Sequence, residues 1–112
     1  MQSIMAKVIE AKSFEFALSI VKLYSHLQQQ KEFVLSKQLL RSGTSIGANV
    51  SEAQAAQSLK DFISKMSIAS KEARETLYWL RLLQTSQLVQ HDFTPYLADA
   101  EEINRILSDI YC

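Results

Sequence analysis

Gly43 and Gly47, the only two glycines in the chain, stand four residues apart inside a segment that otherwise repeats as a helix. A glycine in a helix interior costs roughly 0.5–1 kcal/mol relative to alanine. Two of them, flanked by Ser42, Thr44, Ser45, Ala48 and Ser51, imply a backbone that passes very close to another helix or to a ligand. With a single proline besides, the 112 residues hold too few breakers for the many turns of an all-β fold. The chain therefore reads as all-α, and at this length one domain, residues 1–112, buries a core without metal or disulfide.

Four segments carry helical periodicity. The first runs from about residue 8 to 29, with a later start at Ser13 left open. It bears two adjacent apolar stripes: Phe14, Ala17, Val21 and Tyr24, and beside them Phe16, Ile20, Leu23 and Leu27. A polar stretch, Gln28 to Glu32, predicts a turn. The second segment spans about 34–56 and presents Leu35, Leu39, Gly43, Ile46, Val50 and Ala53 on one face. The small residues of that face, with Gly43, Ile46 and Gly47 at its centre, predict a helix axis drawn in below the usual 8–10 Å separation. Ser58 and Asp61 have the spacing of an N-cap and its N3 partner. They open a third segment, about 59–85, with a stripe of Leu59, Phe62, Met66, Ala69, Ala73, Leu77, Leu80 and Leu83 or Gln84. Thr94-Pro95 predicts the fourth start, proline being harmless at the first helical position. Tyr96 or Leu97, Ala100, Ile103, Leu107 and Ile110 then repeat to about 110. Four amphipathic helices with short connections predict an antiparallel up-and-down four-helix bundle.

Charge sums to zero but is unevenly spread. Residues 1–86 hold eleven Lys/Arg against seven Asp/Glu, and residues 87–112 hold one against five. Nucleic-acid binders usually show a strong basic excess, and the asymmetry equally suits an acidic end meeting a basic side of a second copy. One cysteine, Cys112, allows no internal disulfide. No apolar run reaches a membrane span and the first residues lack a signal-peptide layout. A cytoplasmic protein without a membrane partner is expected.

Little in the chain points to catalysis. His26 and His91 lie far apart and lack Cys, Asp or Glu at ligand spacing; neither His-Glu-x-x-His nor Glu-x-x-His is present, so no metal and no cofactor is expected. Glu72 and Glu75 share a helical face, and paired carboxylates serve acid–base chemistry where burial separates their pKa values. The competing structural expectation is a hydrogen-bonded cluster of Arg41, Asn49, Glu52, Glu72 and Glu75 that fixes helix register. Gly43-Thr-Ser-Ile-Gly47 lacks the Gly-Lys-Ser/Thr ending of a phosphate loop and follows a helix, not a strand. Off the third segment's main stripe stand Ile68, Trp79 and Leu82, with Tyr78 beside them. This surplus apolar line predicts contact between subunits, Trp and Tyr being frequent anchors. Lys60, Lys65, Lys71, Arg74 and Arg81 are the candidate contacts if RNA is bound instead.

The run Gln38–Glu52, together with Lys60-Asp-Phe, Lys71–Leu83 and Lys12-Ser-Phe-Glu-Phe-Ala17, resembles one bacterial family. These are the four-helix-bundle proteins encoded in intervening sequences of 23S ribosomal RNA genes. The resemblance extends from about Val8 to Ile110. It implies a closed ring, a homopentamer, without established catalytic activity. A related group, the accessory variability proteins of diversity-generating retroelements, binds a reverse transcriptase and nucleic acid. A self-assembling scaffold or adaptor is the function the resemblance and the surplus apolar line together imply, and a direct RNA-binding module or a partner that processes nucleic acid is the alternative.

Overall fold

The computed structural model describes residues 4–111. Met1 to Ser3 and Cys112, on which the disulfide expectation rested, lie outside the described residues. Four helices follow one another: α1 Ile4–Gln29, α2 Leu35–Gln54, α3 Leu59–Ser86 and α4 Thr94–Tyr111. They pack as an all-α four-helix bundle 44 Å long and 18–19 Å across. Each helix touches the two beside it, while the diagonal pairs α1–α3 and α2–α4 stay apart. Among the described residues, no helix is long and apolar enough to cross a membrane.

Local chemistry sets the boundaries. Ser58 caps α3, its hydroxyl accepting the Asp61 N–H at 3.0 Å, as the spacing predicts. At α4 the start falls one residue before the sequence signal. Thr94 is already helical, the Phe93 carbonyl accepts the first helical bond from Leu97, and Asp92 Oδ1 accepts the Thr94 N–H at 3.0 Å. That bond holds the Asp92 carboxyl below its usual range. Helix α2 has no capping side chain at Val34; Glu32 reaches over from the turn and accepts the N–H groups of Val34, Leu35 and Ser36 at 3.2, 3.0 and 2.6 Å. A carboxylate there also suits the positive end of the helix dipole.

The first turn closes α1 with paired bonds from Lys31 N–H to the Gln28 carbonyl and from Glu32 N–H to the Leu27 carbonyl. This is the Schellman arrangement, which needs a left-handed residue. Lys31 fills that place at φ 65°; Gln87, after α3, is also left-handed at φ 54°, with the Leu88 N–H donated to the Ser86 hydroxyl at 3.4 Å. A side chain in that region costs roughly 1–2 kcal/mol, partly offset by glycine's greater freedom when unfolded. Lys31→Gly is therefore expected to stabilise the protein by about 0.5–1 kcal/mol, read as a higher urea midpoint. An unchanged or lower midpoint would show that the turn is not strained.

The core is a continuous set of aliphatic and aromatic side chains from all four helices. The α2 face is buried as the periodicity predicts, with Leu39, Ile46 and Val50 fully enclosed and Leu35 half-buried. In α3, Leu59 falls outside the core at 62% exposure and Thr76 is buried instead. The loop before α4 adds Val89 and Phe93, which periodicity alone does not reveal.

Helix α1 departs most from expectation. Of the two stripes only the second, Phe16, Ile20, Leu23 and Leu27, enters the core, continued toward the helix start by Ile9. Phe14 and Val21, from the first stripe, are 64% and 47% exposed. The reason lies in the contact with α2. A Cβ on Gly47 would stand 3.1 Å from the Ser13 carbonyl oxygen, and one on Gly43 would stand 3.0 Å from Ile20 Cγ2. Backbones this close require a small residue between them, so α1 is turned with Ser13 toward α2 and Phe14 toward solvent.

Candidate functional site

The polar cluster expected between α2 and α3 divides in two. Arg41 is paired with Glu72 at 3.3 Å and with Glu75 at shorter range, and the Trp79 indole N–H donates to Glu75 Oε2 at 2.9 Å. Asn49 and Glu52 do not join them. The Asn49 amide donates to the Ser45 carbonyl of its own helix, and Glu52 pairs with Lys65 at 3.1 Å. The Glu52–Lys65 pair lies at the surface, and Asn49 and Ser45 are half-buried. Buried contact between these helices is made instead by Ser42 and Thr76, whose fully enclosed hydroxyls are hydrogen-bonded at 3.0 Å. Both are short polar residues on otherwise apolar faces, and that placement was the available signal.

Glu75 is held below the ordinary carboxyl range, first by the Trp79 N–H and then by Arg41, whose own guanidinium is pushed upward by Glu75. A carboxylate held ionised is poorly suited to donate a proton near neutrality. The arrangement is a clamp between α2 and α3. Because the folded-state pKa is depressed, its contribution is complete above the ordinary glutamate range and is lost as pH falls through the lowered value. Trp79 is the only tryptophan. Its fluorescence is expected to change in acid as Glu75 is protonated, and Glu75→Gln should abolish that transition. An identical acid transition in the variant would remove Glu75 from the assignment.

His26 and His91, distant in sequence, meet at one end of the bundle. Their ring centroids are 4.7 Å apart, with Phe93 at 5.2 Å and Tyr96 at 6.1 Å from His91. Among the described residues, no group of three His, Cys, Asp or Glu side chains is placed to hold a metal ion. A small cleft of about 120 Å³ between α1 and α4, lined by Lys12, Glu15, Asp99 and Glu102, holds the Lys12–Glu102 ion pair at 3.2 Å.

Two surfaces remain. On α1, Phe14, Leu18 and Val21 follow one another at helical spacing with exposures of 64%, 48% and 47%. They are more open than the α3 line, where Ile68 is 39% exposed and Trp79 and Leu82 are half-buried. Tyr78, at 56%, is turned outward and meets the Trp79 ring edge-on at 5.1 Å. With Arg81, Leu82 and Thr85 it lines a surface hollow of about 230 Å³.

The second surface is the outward seam of α3. Lys60, Ser64, Ser67, Lys71, Arg74, Tyr78, Arg81 and Thr85 recur at alternating spacings of four and three. All are exposed except the half-buried Ser67. The helix's three acids, Asp61, Glu72 and Glu75, fall off this line. Among the described residues, Lys60, Lys71, Arg74 and Arg81 enter no ion pair; Arg74 touches only the Ser70 hydroxyl at 3.4 Å. Lys65, grouped with them on sequence, is bound to Glu52 and stands apart.

Comparison with known proteins agrees with this architecture. A crystal structure from Bacteroides thetaiotaomicron, described as a protein of unknown function from the S23 ribosomal protein family, is 51% identical and superposes with a TM-score of 0.91. The match covers 96% of this chain and 98% of that one. No curated protein matches the chain. The model of the 23S rRNA-intervening sequence proteins matches residues 5–109, and the chain belongs to that family.

Proposed function

We propose that this protein is a non-enzymatic, self-assembling bundle that serves as a scaffold, its own copies being its first partner. The observation that carries this reading is the Phe14–Leu18–Val21 line. The bundle's core is complete without it, yet it leaves an aromatic and two aliphatic side chains in water at helical spacing. Contiguous exposed apolar surface of this kind marks protein contact. Ile68 and Trp79 on α3 supply a second, flatter apolar surface beside the hollow that Leu82 lines. A surface on α1 meeting a different surface on α3 would be a heterologous contact, which closes into a ring when the rotation allows. The proposed ring has five copies, as the sequence resemblance implies, and its proposed setting is the cytoplasm. Light scattering in dilute neutral buffer tests it: the expected mass is five times the 12.7 kDa of the chain, and a monomer mass at micromolar concentration overturns it.

A specific observation favours a second activity on the same scaffold, binding of nucleic acid. It is the outward seam of α3, where four cations that enter no ion pair among the described residues stand on one exposed line. Phosphate-driven binding falls steeply as salt rises, whereas apolar assembly is little affected, so the two activities separate in a salt series.

A further inference from the structure

We infer that the α3 seam takes a single-stranded polynucleotide rather than a duplex, with an unpaired base seated against Tyr78. The inference rests on the nucleic-acid reading above and narrows its substrate. Lys60, Lys71, Arg74 and Arg81 span about 31 Å along the helix at 1.5 Å per residue, a line of cations suited to following one flexible backbone. The hydroxyls of Ser64, Ser67 and Thr85 stand between and beyond them as neutral hydrogen-bonding groups. The nearest acid, Glu75, stands off the line with its carboxylate engaged by Arg41 and the Trp79 N–H.

The base seat is the hollow at the α3 C-terminal end. Its walls combine an outward aromatic ring, the Arg81 guanidinium, the Leu82 side chain and the Thr85 hydroxyl. Aromatic faces and guanidinium planes stack on any base whose face is free, and Thr85 offers a hydrogen bond to its edge. In a duplex the base faces are already stacked on their neighbours, so the Tyr78 ring would have no face to cover. Arg74 and Arg81 lie four residues before and three residues after Tyr78, about one turn on either side, placing a cation for the phosphates on each side of the seated nucleotide. RNA and DNA share this phosphate and base chemistry, and both are probed.

The test uses the full chain and fluorescently labelled strands of about 20 nucleotides: oligo(U), oligo(dT), and a mixed-sequence duplex of the same length. Binding is expected for the single strands and at least tenfold weaker for the duplex. Four phosphate contacts predict a log–log salt slope of about −3 on a single strand. Lys71→Ala should lower that slope by about 0.7. Tyr78→Ala should weaken single-strand binding at least about fivefold while Tyr78→Phe retains it, with helix content and particle mass unchanged in both. Oligo(U) against oligo(dT) shows whether the ribose hydroxyl is read. Equal or tighter binding of the duplex, or an unaffected Tyr78→Ala, overturns the single-strand inference while leaving nucleic-acid binding in place. No binding of any strand at low salt overturns both.

Discussion

Gly47→Leu is expected to destabilise the bundle by at least the roughly 1–3 kcal/mol of an overpacked core. The side chain would have to displace backbone. A Cβ at this position already lies 3.1 Å from the Ser13 carbonyl oxygen and 3.4 Å from its carbon, and neither atom has a rotamer to escape through. Gly47→Ala gives the sharper diagnostic. Helix propensity alone would make it stabilising by about 0.5–1 kcal/mol, while the Ser13 contact opposes it, so a zero or negative change reports the close approach directly. Gly43→Ala meets Ile20 at 3.0–3.1 Å. That neighbour is a side chain, but a β-branched and fully buried one with few alternatives. Urea denaturation decides each case. An unchanged midpoint for Gly47→Leu would mean that α1 moves away without cost, and the close contact would then have no structural role.

The same contact explains what was legible in the sequence. Small residues at Gly43, Gly47 and Ala53 announce the α2 face because nothing but close packing calls for two helical glycines. The rotation of α1 was not legible. Two apolar stripes lie side by side, both at helical spacing, and periodicity cannot choose between them. The choice is made by Ser13, whose role appears only when Gly47 stands opposite. Turn geometry was hidden for a related reason: Lys31 and Gln87 occupy left-handed positions without the glycine or asparagine that usually marks them. Of the polar cluster, the Glu72–Glu75 pair was readable from its helical spacing. The exclusion of Asn49 and Glu52 depends on the register of α2 against α3, and so does the meeting of His26 with His91 on the return of the chain. The α3 seam was half legible. Its cations stand in the sequence, but separating Lys65 from the others required knowing that Glu52 lies across from it.

The assembly prediction changes with the structure in hand. Sequence alone made Trp79 the anchor, yet Trp79 packs against the core and donates its indole N–H to Glu75. Trp79→Ala is therefore expected to lower the stability of each subunit as well as its association. Phe14 is the cleaner probe, being 64% exposed and a neighbour of Leu18 and Val21 on the same line. Phe14→Lys leaves the core untouched and places a charge at the centre of the proposed contact. Losing a buried aromatic anchor commonly costs 2 kcal/mol or more at one interface, about a thirtyfold weakening, and a ring incurs that loss at every contact. Sedimentation at micromolar concentration should show the variant as smaller species with the helix content of the parent. Reversing the exposed Glu101 to lysine should leave the mass unchanged, because surface ion pairs contribute only about 0–1 kcal/mol. If Glu101→Lys dissociates the particle and Phe14→Lys does not, the subunits meet through the acidic end of α4 and the basic side of the chain. The α1 line would then be open to a different protein.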